Sequence, residues 1–339
     1  MSKNPYSDLP EFAFWRRAVA GAELLDPVTS TPFKIARSEK IATVGSCFAQ
    51  HLSRSLVDRG YQYLVTEPDP AAGAHPPFPA RFGNVYTTRQ LLQLFDRAYG
   101  LFDPADQIWR RGSAFVDPFR PRVQDFHSAT ELQEDRARHF SAVREMFETC
   151  DVFVFTLGLT EGWLSAVDGA AFPLAPGVAG GEPGPQYVFH NLSVDEIVAD
   201  LGAFLGKLTV VNEGVKVVLT VSPVPLIATY VPRHVLVSNT YSKAVLRVAA
   251  EQICNRYPGV AYFPSYEIIV QERYFEADQR SVVQEGVAHV MTVFAEHYLG
   301  EAAQPHRSAR KTVEVSDAEM QRFTEAAAVV CDEEAIDPA

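Results

Sequence analysis

The chain has 339 residues, 47% of them hydrophobic and 21% charged, with a formal charge of −12 at pH 7. That composition suits one large α/β domain, and its acidic balance excludes the Lys- and Arg-rich surface a nucleic-acid binder needs. The apolar runs all fall short of the roughly 18 residues of a membrane span, and no apolar stretch follows the early lysine, so neither a membrane span nor a signal peptide is expected.

Residues 1–38 read as an N-terminal arm that packs Phe12, Phe14 and Trp15 and ends in a turn near Pro32. Residues 41–45 form the first apolar strand, and it runs straight into a helix over 48–59, where Phe48, Leu52 and Leu56 recur at helical spacing and Gly60 supplies the stop. Residues 61–65 read as a second strand, 67–81 as a Pro- and Gly-rich loop, and 88–99 as a helix with Leu91, Leu92 and Phe95 on one face. The stretch 103–127 is irregular or short-stranded, 129–149 an amphipathic helix, and 151–157 a buried strand. Glycines and prolines make 169–185 a surface excursion. Ser193 and Glu196 then form a capping box for a helix running to about 208. A β-branched strand at 215–221, a helix at 238–257, a strand at 260–263 and a closing helix at 283–298 complete the domain, which spans 39–300. The polar, acidic tail 301–339 carries one weak helix at 317–330.

Strands alternating with helices imply a mostly parallel sheet covered on both faces, with ligands beyond the carboxyl ends of its strands. The loops there begin at Gly45, Glu67, Gly158, Ser222 and Pro264. In Gly45-Ser46-Cys47-Phe48 a glycine closes the strand, and Ser46 lies where free N–H groups and the helix dipole favour negative charge. Ser46 therefore reads either as an activated nucleophile or as a helix N-cap, and Cys47 either as a rival nucleophile or as a small core residue. Gly83 could offer its N–H, and Asn84 its amide, to an oxyanion; both also suit a turn. Gly158 and Thr160 open the third of these loops. The cysteines Cys47, Cys150, Cys254 and Cys331 lie far apart without ligand spacing. Reduced thiols in a cytoplasmic protein, with no metal and no organic cofactor, are expected.

The strings TVGSCFA (43–49), FGNVYT (82–87), DPFRP (117–121), FTLGLTEGW (155–163), TVSPVPL (220–226), SNTYSKAVLR (238–247) and YFPSYEI (262–268) occur in order. Over residues 35–300 the chain resembles the GSCFA domain family, a branch of the SGNH esterases and acyltransferases. The resemblance implies a flavodoxin-like, three-layer α/β/α sandwich and acyl-ester chemistry on a small-molecule or carbohydrate ester, with Ser46 as nucleophile. It places oxyanion donors at Gly83, Asn84 and Gly158, with Thr160 where such enzymes carry an asparagine. The last block of the superfamily reads Asp-x-x-His, with a glycine five residues on. Here Asp278 and Gly286 keep that frame, but Ser281 stands where the histidine is expected.

A serine hydroxyl needs a base, and losing the histidine of a catalytic triad can lower turnover on the order of 10⁶-fold. His190 and His234, on site-side loops, are the alternative bases; His289 sits too far along the closing helix, and His51 and His297 are expected in solvent. Trp163, Phe119 and Phe189 read as pocket wall or core. Three readings follow: an active hydrolase or acyltransferase with a displaced base, a catalytically silent binding protein, or a disabled variant of an active enzyme. The sequence leaves the oligomeric state open.

Overall fold

The computed structural model describes residues 4–20, 22, 24–68, 76–301 and 332–337. A 3₁₀ turn at Glu11–Ala13 and one helical turn, α1 (Trp15–Ala18), precede the first strand, β1 (Ile41–Gly45), which feeds α2 (Ala49–Asp58). Next come α3 (Thr88–Ala98), the short strands β2 (Trp109–Arg111), β3 (Ala114–Val116) and β4 (Asp125–Phe126), and α4 (Ala129–Thr149). Strand β5 (Val152–Leu157) is followed by β6 (Glu161–Ser165), β7 (Ala171–Phe172), β8 (Tyr187–Asn191) and α5 (Val194–Val211). The chain then adds β9 (Lys216–Val221), α6 (Val235–Arg256), β10 (Val260–Phe263), α7 (Ser265–Glu272) and α8 (Gln284–Phe294).

Strands β1, β5, β9 and β10 pair in that order, all parallel. Tyr63 adds a parallel bridge to Ile41 on the outer side of β1. Numbered along the chain with Tyr63 second, the order is 2-1-3-4-5, the doubly wound flavodoxin-like arrangement. Side chains alternate between the two faces, as a strand period of two requires. Phe153, Phe155 and Leu157 of β5 join Val217 and Leu219 of β9 under Phe95, Phe147, Phe204 and Leu246. Val152 and Val154 instead face Leu56 of α2, Ile268 of α7 and Phe294 of α8. Two apolar cores, one on each face of the sheet, give the three layers.

Several helix boundaries follow from local chemistry. Ser128 caps α4 by accepting the Glu131 N–H, and Ser193 and Glu196 form the reciprocal capping box of α5. Other expectations change. Residues 61–65 contribute only the Tyr63 bridge. The excursion at 169–185 is largely packed, because Ala170, Phe172, Leu174 and Ala179 are buried and Phe172 sits on Trp109. Helix α6 begins three residues earlier than its apolar spacing suggested, since the His234 side chain caps it. Helix α7 lies inside an expected loop, and α8 ends in a π-turn at Ala295–Leu299. Phe12 and Trp15 are exposed rather than packed. The expected helix at 317–330 and Cys331 lie outside the described residues. No helix among the described residues is long and apolar enough to cross a membrane.

Candidate active site

The turn after β1 is fixed by backbone geometry. Gly45 has φ +149°, and a Cβ there would lie 2.5 Å from the Thr156 carbonyl oxygen on the neighbouring strand. Only glycine tolerates both conditions. Ser46 follows, its N–H directed to that carbonyl at 3.4 Å. Helix α2 starts three residues later with Phe48 as its N-cap residue, and Ser46 Oγ makes no capping bond. The Oγ is buried without a hydrogen-bond partner, so the N-cap role does not account for Ser46. A buried hydroxyl left unpartnered is costly unless it serves a function or meets a ligand.

Ser46, Cys47, Tyr86, Gly158, Ser222, Leu226 and Lys243 line a void of about 10 Å³. Gly158 is packed against the serine: a Cβ on it would sit 3.2 Å from Ser46 Cβ and 3.0 Å from the Tyr86 carbonyl oxygen. Lys243, on α6 and 1% exposed, donates from Nζ to the Gly158 carbonyl at 2.7 Å. A lysine side chain therefore reaches the cavity of the serine. It belongs to the SNTYSKAVLR string, but helical periodicity alone gives no reason to single it out.

The expected oxyanion donors divide. The Gly158 N–H is engaged by the Tyr86 carbonyl, and the Thr160 hydroxyl donates to Asn191 Oδ1 at 2.6 Å. Gly83 sits at φ +72°, and its N–H makes no hydrogen bond among the described residues. Asn84 is buried beside it; its Oδ1 accepts from Gln50 on α2, and its Nδ2 donates to Asp332 Oδ2. The Val85 N–H donates to the Gly45 carbonyl at 2.8 Å, which ties this loop to the serine turn. Gly83 and Asn84 also border a cavity of about 260 Å³ together with Gln50, Arg81, Phe119, Arg120, Arg122 and Asp332.

Asp278 and Ser281 keep each other company on an exposed turn. Ser281 Oγ donates to Asp278 Oδ2 at 2.6 Å, and the carboxylate also accepts the N–H groups of Arg280 and Ser281. The bond from Ser281 holds the Asp278 carboxyl below its usual range. No hydrogen bond among the described residues joins either one to Ser46. Neither alternative histidine is brought to the serine. His190 Nε2 lies 2.6 Å from Glu196 Oε1 and borders a separate void beside Thr160, while the exposed His234 is occupied as the cap of α6. His289 is fully buried between Tyr274 and the Leu25 carbonyl. His51, expected in solvent, is instead largely buried against Phe48, and burial followed by the nearby Arg54 pushes its imidazole down to about 4. Trp163 and Phe189 pack with Tyr230, whereas Phe119 stacks on Phe172 and lines the larger cavity.

A buried ionic cluster supports that larger cavity. Asp117 accepts from Arg120 Nε at 3.2 Å and Arg136 Nε at 3.1 Å, and Arg120 also pairs with Asp135. Burial pushes the Asp117 carboxyl upward, but Arg120, Arg136 and Arg97 outweigh it and hold the group well below the carboxylate range. His139 Nδ1 lies 2.6 Å from Glu67 Oε2. Away from this region, Asp26, Glu296 and His297 bring three ligand atoms within 4.8 Å, a surface group with metal-ligating spacing that the sequence did not reveal.

Residues 40–294 match the GSCFA family. The chain belongs to the GSCFA family. Among curated proteins no match is found for this GSCFA protein. Its fold is similar to a family 3 carbohydrate esterase of Clostridium thermocellum, at 12% identity and a TM-score of 0.35 over 78% of this chain and 96% of the esterase. A carbohydrate esterase family 3 protein from Talaromyces cellulolyticus is similar at 12% identity and a TM-score of 0.34, over 76% and 95% of the two chains.

Proposed function

We propose that this GSCFA protein is a serine-dependent ester hydrolase or O-acyltransferase of the SGNH type, acting on a small-molecule or carbohydrate acyl ester with Ser46 as nucleophile. The observation that carries the reading is the Ser46 hydroxyl itself: buried, unpartnered, and held by a glycine-only turn at the carboxyl edge of the sheet. Lys243 takes the part that the superfamily gives to histidine, because it is the basic side chain that shares the void with Ser46 among the described residues. In this scheme the neutral Lys243 amine accepts the Oγ proton as Oγ bonds to the acyl carbon. The bond to the leaving alcohol then breaks, and the alcohol takes that proton back. The Gly83 N–H serves the oxyanion, and water or an acceptor hydroxyl repeats the cycle to release the acyl group. An amine must shed its proton before it can accept one, so turnover rises with pH.

A void of about 10 Å³ admits no substrate in the conformation described, so a second reading is a catalytically silent protein that binds its ligand in the larger cavity beside Asn84. A fluorophosphonate probe separates the two. The hydrolase reading expects labelling at Ser46 that vanishes in Ser46→Ala and slows at least tenfold in Lys243→Met. Native protein labelled no more than heat-denatured protein would end it.

A further inference from the structure

The cavity beside Asn84 already holds a carboxylate, and the chain supplies it. Asp332 opens the 3₁₀ turn Asp332–Ala335 and is 8% exposed. Its Oδ2 accepts from Asn84 Nδ2 at 2.9 Å, and its backbone N–H donates to the Tyr86 hydroxyl at 3.1 Å. Arg122 lies against the other side, with Nε 3.8 Å from Oδ1 and Nη1 3.4 Å from the Asp332 carbonyl. Among the described residues, Asp332 is the acid that pairs with Arg122. An amide N–H and a guanidinium converging on one carboxylate form a general carboxylate seat, indifferent to what the carboxylate is attached to.

Two further facts make this a ligand site rather than a tail contact. About 260 Å³ remains unfilled with Asp332 in place. Arg120, another wall of that space and 3% exposed, keeps Nη1 buried without a hydrogen-bond partner. Buried donors of this kind are paired in folded proteins, and a ligand is what the open volume admits. Burial raises the Asp332 carboxyl above its ordinary range, with Asn84 and Arg122 recovering only part of the loss, so the ionised side chain is a replaceable occupant.

We propose that the cavity at Asn84 and Arg122 binds the carboxylate of a small organic acid, and that residues 332–335 occupy that seat in cis. Through Tyr86, whose hydroxyl meets the Asp332 N–H and which also lines the Ser46 void, release of the segment also loosens the cover over the serine. That consequence rests on the serine-hydrolase reading; the carboxylate seat does not.

The test uses the full chain with Asp332→Ala and the charge-only variant Asp332→Asn, titrated calorimetrically with sodium propionate and, as a neutral control, propionamide. Both variants are expected to bind propionate at least tenfold more tightly than the parent, with no change for propionamide, and a further Arg122→Ala is expected to abolish the gain. Equal propionate affinity in parent and variants overturns the proposal, as does a gain that survives Arg122→Ala. Fluorophosphonate labelling, run in parallel, separates the two claims. A propionate gain without labelling in any variant upholds the seat while the hydrolase reading falls, and labelling without a propionate gain does the reverse.

Discussion

Replacing Gly45 by alanine tests whether the serine turn depends on the absence of a side chain. The new Cβ would lie 2.5 Å from the Thr156 oxygen, 2.7 Å from Thr156 Cβ and 2.9 Å from Thr156 N. All three atoms belong to β5, an inner strand of the sheet whose residues are all buried, so the neighbour has nowhere to move. Two costs add. A non-glycine residue at φ +149° carries about 1–3 kcal/mol of backbone strain, and overpacking a close-packed site costs about 1–3 kcal/mol more. The sum, about 2–6 kcal/mol, is a large share of the ~5–15 kcal/mol by which native proteins are stable. With an m-value of about 3 kcal/mol per molar urea, the unfolding midpoint should fall by roughly 0.7–2 M. Gly206 is the matched control: exposed inside α5, with nothing within 4 Å of an added Cβ. Gly206→Ala should stabilise by about 0.5–1 kcal/mol through helix propensity alone. A Gly45→Ala protein that unfolds at the parental midpoint with an unchanged m-value would refute the claim that this turn admits only glycine. The account of how Ser46 is held would go with it.

The ionic cluster beneath the larger cavity makes a second prediction. Asp117→Asn leaves Arg120 and Arg136 without their shared carboxylate, and breaking a buried pair from one side costs about 3–5 kcal/mol; a loss of unfolding free energy below about 0.5 kcal/mol would contradict it. Acid sensitivity follows from the imidazoles of His139, buried, and His51, largely buried. Burial, then Arg120, pushes His139 down to about 4 despite Glu67, and His51 is likewise near 4. Both are neutral in either state above about 6.5. As pH falls through that value the unfolded chain takes up protons that the folded chain refuses until about 4, so stability is present above that window and lost through it. The melting temperature should fall steadily from pH 6.5 to 4, less steeply in His139→Gln. An equal slope in parent and variant would remove His139 from the explanation.

Much of the architecture was legible because its causes are local or periodic. The buried β-branched runs of β5 and β9, the capping box at Ser193 and Glu196, and the 3.6-residue spacing of α2 and α3 each mark an element without reference to the rest of the chain. The stretch 61–65 misled because its apolar residues satisfy a strand pattern, yet only Tyr63 finds an edge to pair with. Residues 169–185 misled in the opposite sense. The glycines and prolines that signal a loop there also accommodate the packing of Phe172 and Ala179 against the β2–β3 region.

The site divides along the same line. From sequence alone came the glycine that closes β1, the serine after it, the Gly83-Asn84 pair and the serine standing at 281, because each is a residue type at a position along one strand or loop. What Ser46 meets was decided only by the tertiary structure. Lys243 comes from a helix 197 positions further along the chain, and Asp332 reaches Asn84 across 248 residues. Sequence spacing encodes direction along a single element; which side chains converge at a strand end depends on how several elements pack, and that information is spread over the whole core.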